Sequence, residues 1–283
     1  MTSFGGIEIP NSCKDKAAVF LQPIAYEGTC SWGKGTANAL TPFLQASANM
    51  ELYDIETDSE VYKRGIHILP ELKESRSPEQ VYEQVYTTVK QLLKSGKYLT
   101  FLGGEHSVSI GIIKAFYEHF PQLTVLHLDA HADLRPTYMG SPYNHACALY
   151  DACLNTNLIQ IGVRSMDVEE KKHLDLDKCY FAKDMYGQQK WMKESISQMT
   201  EEVYITFDVD VLDPSIMPST GTPEPGGLDW HTTITYLKKV FASKKVVGFD
   251  IVELAPKKDM PAPDFLVAKL YYKMLSYQFQ NHE

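Results

Sequence analysis

Six short runs, at residues 17–21, 98–102, 123–128, 158–163, 203–207 and 246–249, are rich in β-branched and aromatic residues. They carry apolar side chains at consecutive positions rather than alternate ones. A strand with one wet face alternates apolar and polar residues. A strand apolar on both faces must be covered on both, as in a parallel sheet flanked by helices. Helix-like segments fall between the runs. The best marked opens with Ser77-Pro78-Glu79-Gln80: an N-cap Ser, a Pro at the first helical position and a Gln three residues after the cap. Val81, Val85, Val89, Leu92 and Leu93 follow at helical spacing, and Gly96 is the stop signal. The alternation predicts an α/β fold with a doubly wound, mostly parallel twisted sheet.

The chain has 283 residues, enough for one large α/β domain or two smaller ones, with 44% hydrophobic and 22% charged residues. A net charge of -9 argues against nucleic acid or an anionic membrane as the main partner. Five cysteines, with no CxxC pair and an odd count, suit a reducing compartment, and a cytoplasmic location is expected. No signal peptide and no membrane-length apolar run are apparent. His119, His173 and His282 read as surface residues, and His127, inside a strand-like run, as a hydrogen-bonded core histidine.

Chemistry gathers where the runs end. Residue 102 leads into Gly103-Gly104-Glu105-His106-Ser107, and residue 128 into Asp129-Ala130-His131-Ala132-Asp133. Residue 207 leads into Asp208-Val209-Asp210, and residue 249 into Asp250-Ile251-Val252-Glu253. Ligands of open parallel sheets bind beyond the carboxyl ends of the strands. In extended chain, residues two apart point the same way, so Asp129, His131 and Asp133 are expected to aim into one pocket, as are Asp208 and Asp210. Any one of these Asp residues alone would be read as a turn or helix cap. Converging carboxylates repel and need cations. Oxygen-rich ligation with a few imidazoles suits Mn²⁺ or Mg²⁺ better than a structural Zn²⁺. Two such ions can share and deprotonate one water, so the residues read as a binuclear metallohydrolase. Pro214 to Gly227 is expected to be an ordered loop.

These motifs, with "GTPEPGGL" (221–228) and "DIVELAP" (250–256), resemble the ureohydrolase family of arginases, agmatinases and formimidoylglutamases, over nearly the whole chain. The resemblance implies a single three-layer α/β/α domain, residues 1–283, with a mixed, mostly parallel sheet. It implies two Mn²⁺ per chain and a homo-oligomer, trimer or hexamer. His106, Asp129, Asp133 and Asp208 would hold one or both metals, and His131 and Asp210 would complete the ligands of the second metal. Asp133 would also orient the attacking hydroxide, Glu253 would pair a substrate guanidinium, and His145 would shuttle protons. The match at His145 is looser, N-H-A-C replacing the commoner S-H-G-T.

The implied reaction is hydrolysis of a small guanidino substrate with release of urea. "VRSMDVEE" (163–170) and "GTPEPGGL" are similar to agmatinases, so agmatine, yielding putrescine, leads. Arg135 stands where arginase-like chains carry an Asn. It could read a substrate carboxylate, favouring a guanidino acid, arginine or formimidoylglutamate, or it could point outward as a surface charge. Asp167 and Glu170 could bind a distal ammonium or cap a helix. Two alternatives remain: a metal-binding relative without catalysis, separated by a urea assay, and a mononuclear metal-dependent amidohydrolase, separated by metal analysis returning one ion per chain.

Overall fold

The computed structural model describes residues 3–7, 10–74 and 76–280. In chain order the strands and α-helices are β1 (Val19–Ile24), α1 (Leu40–Ser47), β2 (Ile66–Ile68), α2 (Pro78–Leu93), β3 (Tyr98–Gly103), α3 (Val108–His119) and β4 (Thr124–Leu128). They continue with α4 (Tyr150–Asn155), β5 (Asn157–Val163), β6 (Cys179–Phe181), α5 (Ala182–Met185), α6 (Lys190–Ser197), β7 (Glu202–Asp208), α7 (Trp230–Ser243), β8 (Lys245–Val252) and α8 (Pro261–Phe279). One sheet forms in the order β2-β1-β3-β8-β7-β4-β5-β6. Every pairing in it is parallel, so the expected mixture of directions is corrected to a wholly parallel sheet among the described residues. Each connection is long enough to cross a face and return in the same direction.

The runs apolar on both faces do face two layers. On β1, Val19 and Leu21 join the core under α1, α7 and α8, while Phe20 joins the core under α2 and α3. On β4, Leu126 and Val125 divide in the same way. The six expected strands are present with ends shifted by no more than three residues. Edge strands β2 and β6 escaped sequence reading because three residues show no period. α2 begins as its cap dictates: Ser77 Oγ accepts the Gln80 N–H at 3.3 Å. All five cysteines are free. Among the described residues, no helix is long and apolar enough to cross a membrane. His119 is exposed, and His173 is half-buried with its ring edge-on to Tyr150. His282 lies outside the described residues.

The turn after β3 is packed without spare room. The Glu105 N–H donates to the Tyr26 carbonyl at 2.8 Å, and the Glu253 N–H to the Gly104 carbonyl at 2.9 Å. A Cβ on Gly104 would lie 1.9 Å from the Tyr26 carbonyl oxygen, so only glycine lets the three segments meet. Gly104→Ala is therefore expected to lower stability by about 3 kcal/mol, the upper end of overpacking effects. A urea melt losing less than about 1 kcal/mol would show that the carbonyl moves aside freely.

Candidate metal centre

The four central strands β3, β8, β7 and β4 lie side by side, and their carboxyl ends deliver His106, Glu253 and Asp208 to one cavity of about 300 Å³, with Asp129 buried against His106. His131, Asp133 and Asp210 line it too, as do Arg135, His145, Asp167 and Glu170. Turns, rather than continued alternation along the strands, produce the convergence. Asp208 caps a short 3₁₀ turn, Val209–Val211, by accepting the Asp210 N–H at 2.8 Å. Asp133 has φ 53° and Glu253 has φ 66°, two of five non-glycine residues with positive φ among those described. Left-handed backbone at such residues costs on the order of 1–3 kcal/mol and concentrates at functional sites.

His106 shows what the centre calls for. Thr206 Oγ1 donates its one hydrogen to Asp250 Oδ1 at 2.7 Å, so towards His106 Nε2, 2.9 Å away, it can only accept. Nε2 therefore carries a hydrogen, and Nδ1 turns a lone pair towards Asp129 Oδ2 and Asp133 Oδ2, both at 3.1 Å, and Asp208 Oδ2 at 3.4 Å. This nitrogen is buried and has no donor of its own to satisfy it. A lone pair facing three carboxylates calls for positive charge between them, which a proton or a metal ion can supply. His131 Nδ1 lies 3.0 Å from Asp210 Oδ2 and 3.4 Å from Asp129 Oδ1, defining a second position that shares Asp129 with the first. Ligand atoms of Asp129, His131 and Asp210 lie within 4.8 Å of one another, as do those of His106, His127, Asp129 and Asp133.

The charges agree with this reading. Burial, and then the carboxylates of Asp210, Asp129 and Glu253, hold the Asp208 carboxyl well above the usual range. Burial opposes charge on His106, but Asp129 and Asp133 outweigh it and push the imidazole well above its ordinary value. Burial and the neighbouring Glu105 lift Glu253 to about 8. Each shift is the response of crowded carboxylates calling for positive charge. His127 stays a fully buried core residue. Its Nε2 donates to Asp129 Oδ2 at 2.7 Å and its Nδ1 accepts from Gln160 Nε2 at 3.0 Å. With both nitrogens committed, it orients a carboxylate rather than offering a ligand atom.

The mouth of the cavity settles where Arg135 points. It lines the cavity, with its guanidinium 4.5 Å from the Tyr138 ring centroid and Nη2 3.3 Å from Asp167 Oδ2. Asp167 also caps the 3₁₀ turn Val168–Lys172 through a capping box with Glu170. Capping and cavity lining thus coexist in one residue. Glu170 is buried, accepting the N–H groups of Leu134 at 2.8 Å and Asp167 at 2.7 Å.

The sequence model of the arginase family matches residues 17–276. The chain belongs to the arginase family. The N(1)-aminopropylagmatine ureohydrolase of Synechocystis sp. is 33% identical over 275 residues, which covers 92% of this chain and 89% of the relative. The agmatinase of Halalkalibacterium halodurans is 32% identical over 256 residues, 87% and 86% of the two chains. Among solved structures, the agmatine ureohydrolase of Thermoplasma volcanium superposes with a TM-score of 0.87 at 29% identity, covering 99% of this chain and 95% of the other. The arginase of Bacillus subtilis, at 21% identity and a TM-score of 0.79, shares the fold.

Several residues around the centre carried no usable signal in the sequence. Arg164 is one: it stands in "VRSMDVEE", yet its partners lie far along the chain. Its guanidinium donates to the carbonyls of Asp210 at 2.6 Å, Glu224 at 2.8 Å and Gly162 at 3.2 Å. It thereby ties the Asp210 turn to the 214–227 loop, which is ordered as expected, with the Gly226 N–H on Asp213 Oδ2 at 2.9 Å. Arg164→Met is expected to lower metal affinity by about 10–100-fold with the fold intact, since backbone supports of ligands act at that scale. Metal analysis after dialysis against limiting Mn²⁺ reads this out, and unchanged affinity would relieve Arg164 of the role.

Proposed function

We propose that this chain is a binuclear manganese ureohydrolase that cleaves agmatine to putrescine and urea. The observation that carries the reading is the His106 Nδ1 lone pair facing Asp129, Asp133 and Asp208, with Glu253 directly beside it. His106, Asp129, Asp133 and Asp208 would hold one metal. Asp129, His131 and Asp210, with Asp208 close by, would hold the other. The donor set, mostly oxygen with two imidazoles, fits Mn²⁺. When bound, the pair of cations supplies a water activated at neutral pH.

The chain's own groups do the rest. Glu253 Oε1 accepts the His106 backbone N–H at 2.7 Å, which fixes the carboxylate against the centre. A guanidinium is planar, delocalised and cationic, and it pairs with a carboxylate by charge-assisted hydrogen bonds. Glu253 would hold that group with its central carbon towards the metals. Asp133 would accept a hydrogen bond from the attacking water and so aim it at the carbon. Addition of water and rupture of the carbon–nitrogen bond to the alkyl chain release urea, and the departing amine takes a proton. His145 lines the cavity and would relay to that amine, through Nε2, the proton given up by the added water as the urea carbonyl forms.

The mouth supports agmatine: Asp167 and Glu170 place two carboxylates there against the one cation of Arg135. Asp167 would receive the distal ammonium. A second reading has its own observation. Arg135 faces the cavity, stacked on Tyr138, where its fork could bind a tail carboxylate. A guanidino acid such as guanidinobutyrate, formimidoylglutamate or arginine would then be preferred. A screen of these compounds, agmatine and guanidine, with urea and formamide measured separately, decides between the readings. Agmatine is expected to give urea with the highest kcat/KM. Metal binding without urea or formamide from any of them would make the chain a non-catalytic relative.

Two sets of variants test the assignments. Asp129→Asn and Asp210→Asn are each expected to reduce bound metal and abolish turnover, because each removes a charge and an oxygen donor from the second position. Near-wild-type rates at limiting metal would refute those ligands. Glu253→Gln is expected to keep wild-type metal content while kcat/KM falls about a hundredfold, the scale of losing one partner of a desolvated charge pair. Unchanged kinetics would remove Glu253 from substrate binding.

A further inference from the structure

We propose that Glu105 and Thr29 are positioning residues for His145, fixing its imidazole with the hydrogen on Nδ1 and the lone pair of Nε2 free for the cavity. The kinetic consequence rests on the proton-transfer role proposed for His145; the tautomer itself does not.

Glu105 is fully buried, and the groups that reach its carboxylate are neutral donors. Its Oε1 accepts from Thr29 Oγ1 at 2.5 Å and Ser107 Oγ at 2.6 Å, and its Oε2 from the Thr29 backbone N–H at 2.8 Å. No Lys or Arg pairs with it among the described residues. A buried carboxylate is an expensive way to anchor a loop that a neutral amide could hold. What a carboxylate adds is that it accepts only. Thr29 therefore has one possible orientation: its single hydroxyl hydrogen goes to Glu105.

That leaves the lone pairs of Thr29 Oγ1 to face His145. The His145 backbone N–H donates to Thr29 Oγ1 at 3.0 Å, and His145 Nδ1 stands 3.3 Å from the same oxygen. An oxygen whose hydrogen is already placed can only accept from Nδ1, so Nδ1 bears the hydrogen. The ring also meets Tyr138 edge-on, at 6.0 Å and 90°, which limits its rotation. Nε2 has no protein partner among the described residues, and His145 lines the cavity. The arrangement repeats the one behind the metal centre. There Asp250 orients Thr206, and Thr206 sets the tautomer of His106. In one case the threonine accepts from Nε2 and frees Nδ1. In the other it accepts from Nδ1 and frees Nε2. Each time the freed nitrogen is the one the site uses.

Glu105→Gln is the sharpest test, because an amide can donate to Thr29 Oγ1 and release the hydroxyl hydrogen towards Nδ1. Nitrogen NMR of ¹⁵N-histidine-labelled, Mg²⁺-loaded full-length protein reads the tautomer, with His145→Asn identifying the signals. Wild type is expected to show the His145 tautomer with hydrogen on Nδ1, and Glu105→Gln to shift it towards Nε2–H. Thr29→Val should do the same, and Thr29→Ser should restore the wild-type pattern. In turnover, Glu105→Gln and Thr29→Val are expected to lower kcat by about tenfold or more, with KM and metal content near wild type. Neither should add to the loss in a His145→Ala background, because residues acting through one another are not additive. Wild type with the hydrogen on Nε2, no tautomer change in either variant, or full additivity with His145→Ala would overturn the proposal. Absence of urea release by wild type would instead overturn the proposed function, leaving the NMR result to decide the tautomer.

Discussion

Everything about this site follows from mutual repulsion of carboxylates that the fold buries together. Asp129, Asp133, Asp208, Asp210 and Glu253 converge in a place with little water to solvate them. Unpaired, each would cost several kcal/mol to bury. The imidazoles of His106 and His131 alone do not cancel them, so the cluster suits bound cations. The surroundings are built to hold that charge still. His127 fixes Asp129, backbone N–H groups fix Asp208 and Asp210, and Arg164 anchors the turn carrying Asp210.

The parallel sheet makes such a concentration possible. When every strand runs the same way, all carboxyl ends open on one edge, and the four central strands are neighbours there. The two left-handed residues, Asp133 and Glu253, and the crowded Gly104 turn are where the backbone departs from its easy conformations to aim side chains at one point. Strain of this kind persists only where packing on both faces holds it. Two helical layers and a core of fully buried side chains such as Phe101, Tyr204 and Phe249 supply that.

The site also shows how hydrogens are assigned in a place without bulk water. A threonine hydroxyl has one hydrogen to give. Pairing Thr206 with Asp250, and Thr29 with Glu105, removes the ambiguity that a hydroxyl beside an imidazole would otherwise leave. The two histidines thus turn opposite nitrogens towards the cavity for reasons traceable to two buried acids, Asp250 and Glu105.

The sequence by itself determined the parallel sheet and the acids at its strand ends, because runs apolar on both faces and D-A-H-A-D or D-V-D spacing are local patterns. It determined α2 down to its capping serine for the same reason. Tertiary structure alone decided the rest. Edge strands β2 and β6 exist only through pairing with longer neighbours. The convergence of Asp129, His131 and Asp133 came from a left-handed turn, whereas spacing had suggested plain extended alternation. Arg135, open between surface and pocket in the sequence, was placed at the cavity mouth by Asp167 and Tyr138. The roles of Arg164, Gln160 and Thr29 depend on partners 46, 33 and 76 residues away in the chain. Contacts at such separations leave no periodicity to read, and only the folded sheet brings them together.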